Sequence, residues 1–398
     1  MSGGNEATLA GTDLSIPYLK ELHKVFSAAF LLSLSECYNA RMHLVELQAS
    51  GFRSLTGIDF RPTPGLNVIR GHNAQGKTSL LEAVLFLATS KSHRTNIEAE
   101  LVRDSDVGFQ LRCRVQRCDR EVVTEANWFK GVKRFRVNGV SQPRTSDILG
   151  KVNVVFFSPE DAALVRGSAS NRRRFLDMEL SQLAPAYLFA LQQYRQVLKQ
   201  RNELLRAFKP DPALVDVWDD QLAAHGEVLI HERMAFVREL SAFAAKAYRR
   251  IAETEDLEVR YQPDIPLDSP IIEVLNEARE SDLRNRVTTR GPHRDEIVLL
   301  AGGRAARQFA SQGQQRTAAL ALKLAELELV KDRVGEYPVL MLDDVLSELD
   351  LKRCKRLVEA IPREAQCLLT TTDLERLDSM FGVPCTNFFI QGGRLETK

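Results

Sequence analysis

The sequence predicts an α/β core that is divided by a helical insertion and flanked by an antiparallel sheet. Strand-like and helical patterns alternate at 66–87 and again at 314–371, which is typical of α/β folds. Between them, apolar residues recur at helical spacing from about 169 to 255, with a proline-containing break at 209–212, which indicates two long helices paired as a hairpin. Alternating apolar residues before the insertion include Asn138-Gly139, a strong signal for a two-residue hairpin turn.

Composition narrows the class of protein. The chain has 398 residues, 44% hydrophobic and 27% charged, with a net charge of +1, which fits a globular protein of about two to three compact units. Six cysteines occur without a CxxC pair or a zinc-like spacing, as expected in a reducing cytosol, and they imply no metal. The longest apolar run, 25–34, is about half the length of a spanning helix. We therefore expect a cytoplasmic protein without a membrane partner.

Residues 1–41 precede the first strand-like alternation, which starts at Met42. Lys20, Lys24 and Cys37 flank the apolar run in the manner of a lipoprotein signal, but Glu36 stands where such a signal needs a small residue. We expect 1–41 to be a poorly ordered extension, or translation to begin at Met42.

A phosphate-binding loop is predicted at 71–78, where glycine, four residues and Gly-Lys-Thr follow in order. An apolar strand pattern precedes the loop and an amphipathic helix pattern follows it, so backbone N–H groups and a helix N-terminus would face phosphate oxygens. Lys77 would contact the β- and γ-phosphates of ATP, and Thr78 would bind Mg²⁺. The predicted nucleotide-binding residues are Gly71, His72, Asn73, Ala74, Gln75, Gly76, Lys77, Thr78 and Ser79.

The apolar strand 339–343 ends in two carboxylates, Asp343 and Asp344. A phosphate-binding loop needs such an acid beside it to hold Mg²⁺, and Asp343 fits this role. Asp344 would orient the attacking water or accept its proton. Alone, an apolar strand ending in aspartate is equally compatible with a strand-end cap. Together with the loop it predicts Lys77, Asp343 and Asp344 as catalytic residues, with Thr78 and Asp343 as metal ligands.

Ser311-Gln312-Gly313-Gln314-Gln315 opens a long predicted helix. One interpretation is a capping serine followed by helix-forming glutamines. The segment also resembles the signature loop of ABC-type ATPase heads, and residues 344–350 resemble their D-loop. This resemblance implies that Ser311, Gly313 and Gln314 contact the γ-phosphate bound by a second subunit, and that two copies close head to tail around two ATP molecules.

Further stretches resemble the RecF family and extend the likeness over about 42–395. The resemblance implies an α/β, ABC-type P-loop ATPase head (42–160 and 290–398), with an antiparallel subdomain beside the core, split by an inserted helical lobe with a helical hairpin (161–289). The stretches are Val45-Glu46-Leu47, Gly51-Phe52-Arg53, Phe157-Ser158-Pro159-Glu160-Asp161, Asn171-Arg172-Arg173-Arg174-Phe175-Leu176-Asp177 and Gly291-Pro292-His293-Arg294-Asp295-Glu296.

The resemblance implies an ATP-dependent DNA-binding protein of bacterial repair, recombination and replication. Such a protein dimerises on ATP and, with recombination-mediator partners, helps load recombinase at single-stranded gaps. Asp344 replaces the glutamate of most ABC heads, and no glutamine occurs at 158–161, so hydrolysis should be slow. The alternative is an ABC head that acts on a protein or membrane partner. Thr371 and Thr372, where transporter heads usually carry a histidine, disfavour it.

Basic residues crowd the predicted antiparallel sheet and could meet DNA phosphates without reading sequence. A solvated face is the alternative interpretation. Few aromatic residues are interleaved, which favours duplex and junction backbones over stacking on single strands. The roles of His293 and Arg294 stay open between a hinge and a buried hydrogen bond. The candidate DNA-binding residues, preferred over the triplet 172–174, are Arg112, Arg114, Lys130, Lys133, Arg134 and Arg136.

Overall fold

The computed structural model describes residues 41–252, 256–372 and 384–396. The predicted extension at 1–41 therefore lies outside the described residues, except for Arg41. In the described part of the chain, no helix has the length and apolar character needed to cross a membrane.

The described elements follow one another along the chain as follows. The strands are β1 (His43–Ser50), β2 (Ile58–Phe60), β3 (Leu66–Arg70), β4 (Gly108–Gln116), β5 (Glu121–Phe129), β6 (Val132–Val137), β7 (Val140–Gln142), β8 (Val154–Phe157), β9 (Leu257–Gln262), β10 (Glu296–Ala301), β11 (Arg304–Ala305), β12 (Val339–Leu342), β13 (Cys367–Thr371), β14 (Cys385–Gln391) and β15 (Arg394–Glu396). The α-helices are α1 (Lys77–Thr89), α2 (Ala163–Arg166), α3 (Ala169–Leu183), α4 (Pro185–Leu205), α5 (Pro212–Ala252), α6 (Ile271–Asn285), α7 (Ala306–Phe309), α8 (Gln312–Val334) and α9 (Leu351–Ala360).

The central sheet has the strand order β15-β14-β3-β13-β12-β8 and is parallel from β14 to β8. Every residue of β8, β12 and β13 is buried, as expected for parallel strands covered on both faces. Because β3 and β12 run in the same direction on either side of β13, the loop after β3 and the carboxylates after β12 meet at one edge of the sheet.

Two hydrophobic cores lie on opposite faces of this sheet. Val155 and Phe157 of β8 point into a core shared with the helical segment and α8. Val154 and Phe156 point into a second core, which α1 and the antiparallel sheet complete. This alternation follows from the two-residue period of a strand. Helix α1 is buried along most of its length, because it is packed between the two sheets.

The antiparallel sheet has the order β2-β1-β4-β5-β6-β7. Its predicted turn is confirmed: Val137 pairs with Val140, and Asn138 and Gly139 between them have φ angles of 49° and 79°. Positive φ at both central positions is the requirement of the hairpin turn that Asn-Gly favours.

The α/β fold class and the ABC-type head predicted from the sequence agree with this architecture, but two local predictions were wrong. The first long helix is broken at Ala184, which is extended with φ −131° and ψ 100° before Pro185, because proline disfavours helical geometry in the preceding residue. The sequence pattern also predicts a hairpin of two strands, 296–300 and 305–309, around Gly302-Gly303. Only Arg304–Ala305 pairs with β10, and Ala306–Phe309 forms a helical turn.

Buried arginines connect the helical segment to the core. Arg233 on α5 is 2% exposed and its guanidinium donates to Asp177 (2.8 Å), Asp295 (2.7 Å) and the Pro292 carbonyl (2.6 Å). A buried guanidinium is costly unless each N–H finds an acceptor. These contacts therefore hold α5 against the segment that leads back to the central sheet.

His293 belongs to the same junction and is held by a buried hydrogen-bond pair. Its Nε2 lies 3.1 Å from the Thr288 carbonyl and its Nδ1 lies 2.7 Å from the Tyr194 hydroxyl. Since a carbonyl only accepts, Nε2 carries the proton and Nδ1 accepts from Tyr194. Burial lowers the pKa of His293 to about 4, although its hydrogen bond to Thr288 opposes the shift. Of the two open roles, the contacts match the buried hydrogen bond.

Acidification should therefore weaken this junction. An unfolded chain binds a proton at a histidine pKa of about 6.5, whereas the folded chain does so only near 4. The free energy of unfolding should fall as pH drops from 6.5 to 4, by at most about 1.4 kcal/mol per pH unit. His293→Gln, which keeps a neutral donor and acceptor, should lose less Tm between pH 7 and pH 5 than the unsubstituted protein. His231→Gln, at an exposed site on α5, is the control, and equal losses in all three proteins would contradict the assignment.

Candidate nucleotide-binding site

The loop between β3 and α1 has the closed geometry of a phosphate-binding loop. Ala74 and Gly76 adopt positive φ angles of 62° and 111°, which turn the chain into the helix that starts at Lys77. At Gly71, a Cβ atom would lie 2.4 Å from the Ile390 carbonyl oxygen, so a larger residue would push the loop away from β14. The sequence pattern therefore matches a real packing requirement.

Lys77 folds back over this loop. Its Nζ donates to the carbonyl oxygens of Gly71 (2.7 Å) and His72 (2.8 Å). Burial lowers the pKa of the ammonium group, while the carboxylates of Asp344 and Asp343 oppose that shift. A cation held by neutral carbonyls in this way can exchange them for the oxygens of a bound phosphate.

Three hydrogen bonds fix Asp343 beside Thr78. Its Oδ1 accepts from the hydroxyls of Thr78 (3.0 Å) and Thr370 (2.7 Å), and its backbone N–H donates to the Phe157 carbonyl (2.8 Å). The Thr370 hydroxyl also accepts from the backbone N–H of Asp344 (2.9 Å). The structure thus joins the predicted metal ligands Thr78 and Asp343 and adds Thr370, for which the sequence offered no signal beyond its position in a core strand.

Asp344 projects into the site because its backbone is left-handed, with φ 49°. This left-handed backbone turns the chain from the buried strand into the 3-10 helix Val345–Glu348, and aspartate adopts it more readily than most residues. Asp344 and Lys77 both line the cavity. The arrangement brings the three predicted catalytic residues, Lys77, Asp343 and Asp344, to one wall.

The donors at this wall suit Mg²⁺. A threonine hydroxyl and an aspartate carboxylate are hard oxygen ligands, and Mg²⁺ commonly takes one or two of these together with water and nucleotide phosphates. Among the described residues, no group of three or more His, Cys, Asp or Glu side chains could hold a metal ion alone. The donor set therefore fits a cation that shares its ligands with a nucleotide.

The cavity has a volume of about 970 Å³ and extends beyond the predicted loop. Its walls include the turn at 392–393, whose N–H groups donate to Gln75: Gly392 to Oε1 (2.7 Å) and Gly393 to the carbonyl (3.1 Å). The cavity-lining residues that sequence reasoning missed include Arg53, Ser54, Arg94, Arg103, Gly392 and Gly393.

Arg53 stands at the entrance in a paired state. Its guanidinium donates to both carboxylate oxygens of Glu82 (2.9 and 3.0 Å) and to the Glu100 carbonyl (2.9 Å). Glu82 is fully buried on α1, so the arginine neutralises a charge that would otherwise be costly. The sequence resembles the family pattern at Gly51-Phe52-Arg53, but nothing in it predicts the contact between Arg53 and Glu82.

The predicted signature residues lie away from this cavity. Ser311, Gly313 and Gln314 are not among the described residues that line it. Ser311 caps α8: its Oγ accepts from the Gln314 N–H (3.3 Å), and the Gln314 side chain accepts from the Ser311 N–H (2.7 Å). The capping interpretation is thus confirmed, and the nucleotide contact implied by the resemblance stays a prediction.

The basic residues of the antiparallel sheet fall into two groups. Arg112 and Arg114 share the carboxylate of Glu46 at 3.4 and 3.6 Å, and Lys133 pairs with Glu98. Within the described residues, Lys130, Arg134 and Arg136 form no ion pair. The unpaired cations therefore lie on β6 and in the turn that precedes it.

Comparisons with known proteins agree with this geometry. Residues 43–388 match the family described as "RecF/RecN/SMC N terminal domain". The chain is 42% identical over 352 residues to "DNA replication and repair protein RecF" of Bacillus mycoides (strain KBAB4), covering 85% of this chain and 94% of that protein. The relative from Symbiobacterium thermophilum is 42% identical over 348 residues, covering 84% and 93%.

A solved structure of "the recombination mediator protein RecF-ATPrS in RecFOR pathway" has a TM-score of 0.81 and 34% identity, over 90% of this chain and 98% of that one. The Smc head domain of Pyrococcus furiosus, 15% identical with a TM-score of 0.54, shares the fold alone. On its sequence and its fold, the chain belongs to the RecF family of DNA replication and repair proteins.

Proposed function

We propose that this protein binds ATP with Mg²⁺ and uses it to control DNA binding in recombinational repair. The observation that carries the proposal is the joint placement of Lys77, Thr78 and Asp343 around one cavity, with Asp343 fixed by Thr78 and Thr370. The similarity to an ATPrS-bound recombination mediator supports the ligand. The repair function named for the curated relatives supports the pathway.

Each residue of the site has a distinct role in this proposal. Lys77 exchanges the carbonyls of Gly71 and His72 for β- and γ-phosphate oxygens, and loop N–H groups bind the remaining oxygens. When bound, Mg²⁺ neutralises charge on the phosphates and is held by Thr78 and Asp343. Asp344 orients the attacking water. Its side chain is shorter than a glutamate, so we expect slow hydrolysis that acts as a switch.

A second subunit completes the site in this proposal. Ser311 and Gln314 satisfy each other's backbone N–H groups, but within the described residues the N–H groups of Gln312 and Gly313 have no acceptor. Free N–H groups at an exposed helix N-terminus favour an anion. Two copies arranged head to tail would direct them at each other's γ-phosphate. ATP would thus be required for a stable homodimer.

DNA and mediator proteins are the proposed partners. Lys130, Arg134 and Arg136 offer unpaired cations to phosphates, whereas Arg112, Arg114 and Lys133 would first have to leave their carboxylates. Duplex and junction DNA are the preferred forms, because exposed rings for base stacking are few on this sheet. No observation favours an ABC head that acts on a membrane partner.

Substitutions should separate the two halves of the composite site. Lys77→Arg and Asp343→Asn should lose ATP handling within the subunit. Ser311→Arg should bind ATP normally, because Ser311 does not line its own cavity, but fail to dimerise, because the long side chain fills the space beside the partner's phosphate. Ser311→Asn keeps a helix-capping side chain and should dimerise. Light scattering with and without ATP measures this, and ATP-dependent dimers of Ser311→Arg would refute contact between subunits.

Thr370→Val should weaken Mg²⁺-dependent binding. The change removes a hydrogen bond to a buried carboxylate, which typically contributes about 1.5–3 kcal/mol, so we expect ATP affinity in Mg²⁺ to fall about tenfold or more. Calorimetry with Mg²⁺ and with EDTA isolates the effect. Thr386→Val on β14, whose hydroxyl contacts Thr63 rather than the site, is the control. Equal affinities for Thr370→Val and the control would contradict the role of Thr370.

DNA binding by the unsubstituted protein tests the function itself. Duplex affinity should rise with ATP and fall linearly on a log–log plot against salt concentration, because phosphate contacts release counterions. A chain that stays monomeric with ATP, or DNA binding without a salt slope, would contradict the proposed function.

A further inference from the structure

Four cations converge where the helical segment meets the end of α1. We call Lys91, Arg173, Arg174 and Arg195 the junction cluster. Lys91 follows α1 by two residues, Arg173 and Arg174 lie on α3, and Arg195 lies on α4. His93, two residues beyond Lys91, lines a cavity together with Arg174, so the cluster spans the junction between the head and the helical segment. The triplet 172–174 was considered from the sequence, and within it Arg172 differs from its neighbours because it pairs with Glu296.

A cavity of about 210 Å³ lies between three of these cations, Arg173, Arg174 and Arg195. Asp177 is the single carboxylate among the described residues that line it, and its two oxygens are already engaged by Arg195 (2.6 Å) and Arg233 (2.8 Å). Arg173 donates to the neutral Asp295 carbonyl (2.7 Å). Arg174 has no hydrogen bond or ion pair within the described residues. Positive charge around this cavity therefore exceeds negative charge.

The electrostatics of the neighbouring lysine agree. The pKa of Lys91 is lowered, first by partial loss of solvent around the ammonium and then by the charges of Arg195 and Arg174, with Asp177 opposing. The pKa of Arg173 is also lowered, first by burial and then by Arg233, although nearby carboxylates oppose. Because these cations destabilise one another's charged forms, an anion bound between them would lower their mutual repulsion.

We propose that the junction cluster binds the phosphate backbone of duplex DNA, so that one DNA molecule contacts both the ATPase head and the helical segment. This inference rests on the proposed function and names its binding surface. Guanidinium groups suit phosphate because their N–H groups donate in pairs to its oxygens. Of the two rings among the described residues that line the cavity, Tyr194 is buried and His293 is hydrogen-bonded to it, so the site offers mainly charge to a ligand.

The cluster continues towards the antiparallel sheet. The ammonium of Lys133 on β6 lies 5.8 Å from the ring centre of Phe86 on α1, and its charge also lowers the pKa of Lys91 just beyond that helix. A DNA backbone would thus run from Lys130, Arg134 and Arg136 past Lys133, which stays paired with Glu98, to Lys91 and Arg174. The sheet surface predicted from the sequence becomes one end of a longer path.

This path connects DNA to the nucleotide through a single helix. Helix α1 has 13 residues, or about 20 Å at 1.5 Å per residue. It begins at Lys77 in the phosphate-binding loop and ends just before Lys91. DNA held by Lys91 and Arg174 together would restrict movement of the helical segment relative to α1. ATP and DNA should therefore strengthen each other's binding.

The test neutralises Lys91 and Arg174 together. We expect Lys91→Gln/Arg174→Gln to bind duplex DNA at least tenfold more weakly with ATP and Mg²⁺ at low salt. The slope of log affinity against log salt should become shallower by about 1.8, because each phosphate contact contributes about 0.9. Arg206→Gln/Lys209→Gln, at the exposed end of the helical hairpin, removes the same charge and should keep the original slope. Fluorescence anisotropy over a salt series measures all three proteins.

The outcomes separate the two proposals. If the unsubstituted protein binds no DNA, the proposed function fails and this inference fails with it. If it binds DNA and the Lys91/Arg174 variant keeps the slope of the control, the junction cluster is refuted while the DNA function stands. Arg174→Lys on the Lys91→Gln background should restore about half of the lost slope. Unchanged ATP affinity in every variant verifies that the fold of the head is intact.

Discussion

The buried carboxylate of Asp343 is the constraint on which the site depends. A carboxylate at 6% exposure needs close hydrogen-bond donors, and Thr78 at the start of α1 and Thr370 near the end of β13 supply them. These hydroxyls tie the start of α1 to β12 and β13. The geometry of the metal ligands is therefore set by the core of the central sheet before any nucleotide arrives, which reduces the cost of ordering the site on binding.

Helix α1 transmits this constraint to the rest of the molecule. Its first turn belongs to the phosphate-binding loop, its middle packs against the aromatic rings of the antiparallel sheet, such as Phe86 on Phe109 and Phe135, and its end leads to Lys91. Glu82, buried on the same helix, fixes Arg53 at the cavity entrance. A rigid helix that is packed on all sides moves as a unit, so changes at one end must be accommodated at the other.

Motifs made of a few consecutive residues could be predicted from the sequence, whereas contacts between distant segments could not. Three features have a signal that lies within a few residues. They are the phosphate-binding loop at 71–78, the apolar strand that ends at Asp343 and Asp344, and the Asn138-Gly139 turn. Thr370, the Gln75 contact with Gly392 and the Arg53–Glu82 pair depend on tertiary proximity that no local pattern encodes. The helix break at Pro185 was missed because apolar residues recur at helical spacing on both sides of it. This spacing indicates which face is buried, and it does not show whether the helix is continuous.

Contacts between distant segments also determine which basic residues can bind DNA at low energetic cost. From the sequence alone, Arg112 and Arg114 are expected to share one face of their strand, because strand residues two apart point to the same side. Nothing in the sequence distinguishes them from Arg134 as contacts for DNA. The fold adds Glu46 from the neighbouring strand, and a cation must give up this carboxylate before it can contact DNA. Arg174 lines a cavity with Asp177, which is already paired with Arg195 and Arg233. Arg174 can therefore bind a phosphate without breaking an ion pair. The binding surface is therefore decided by which carboxylates the fold supplies, more than by the number of basic residues in a segment.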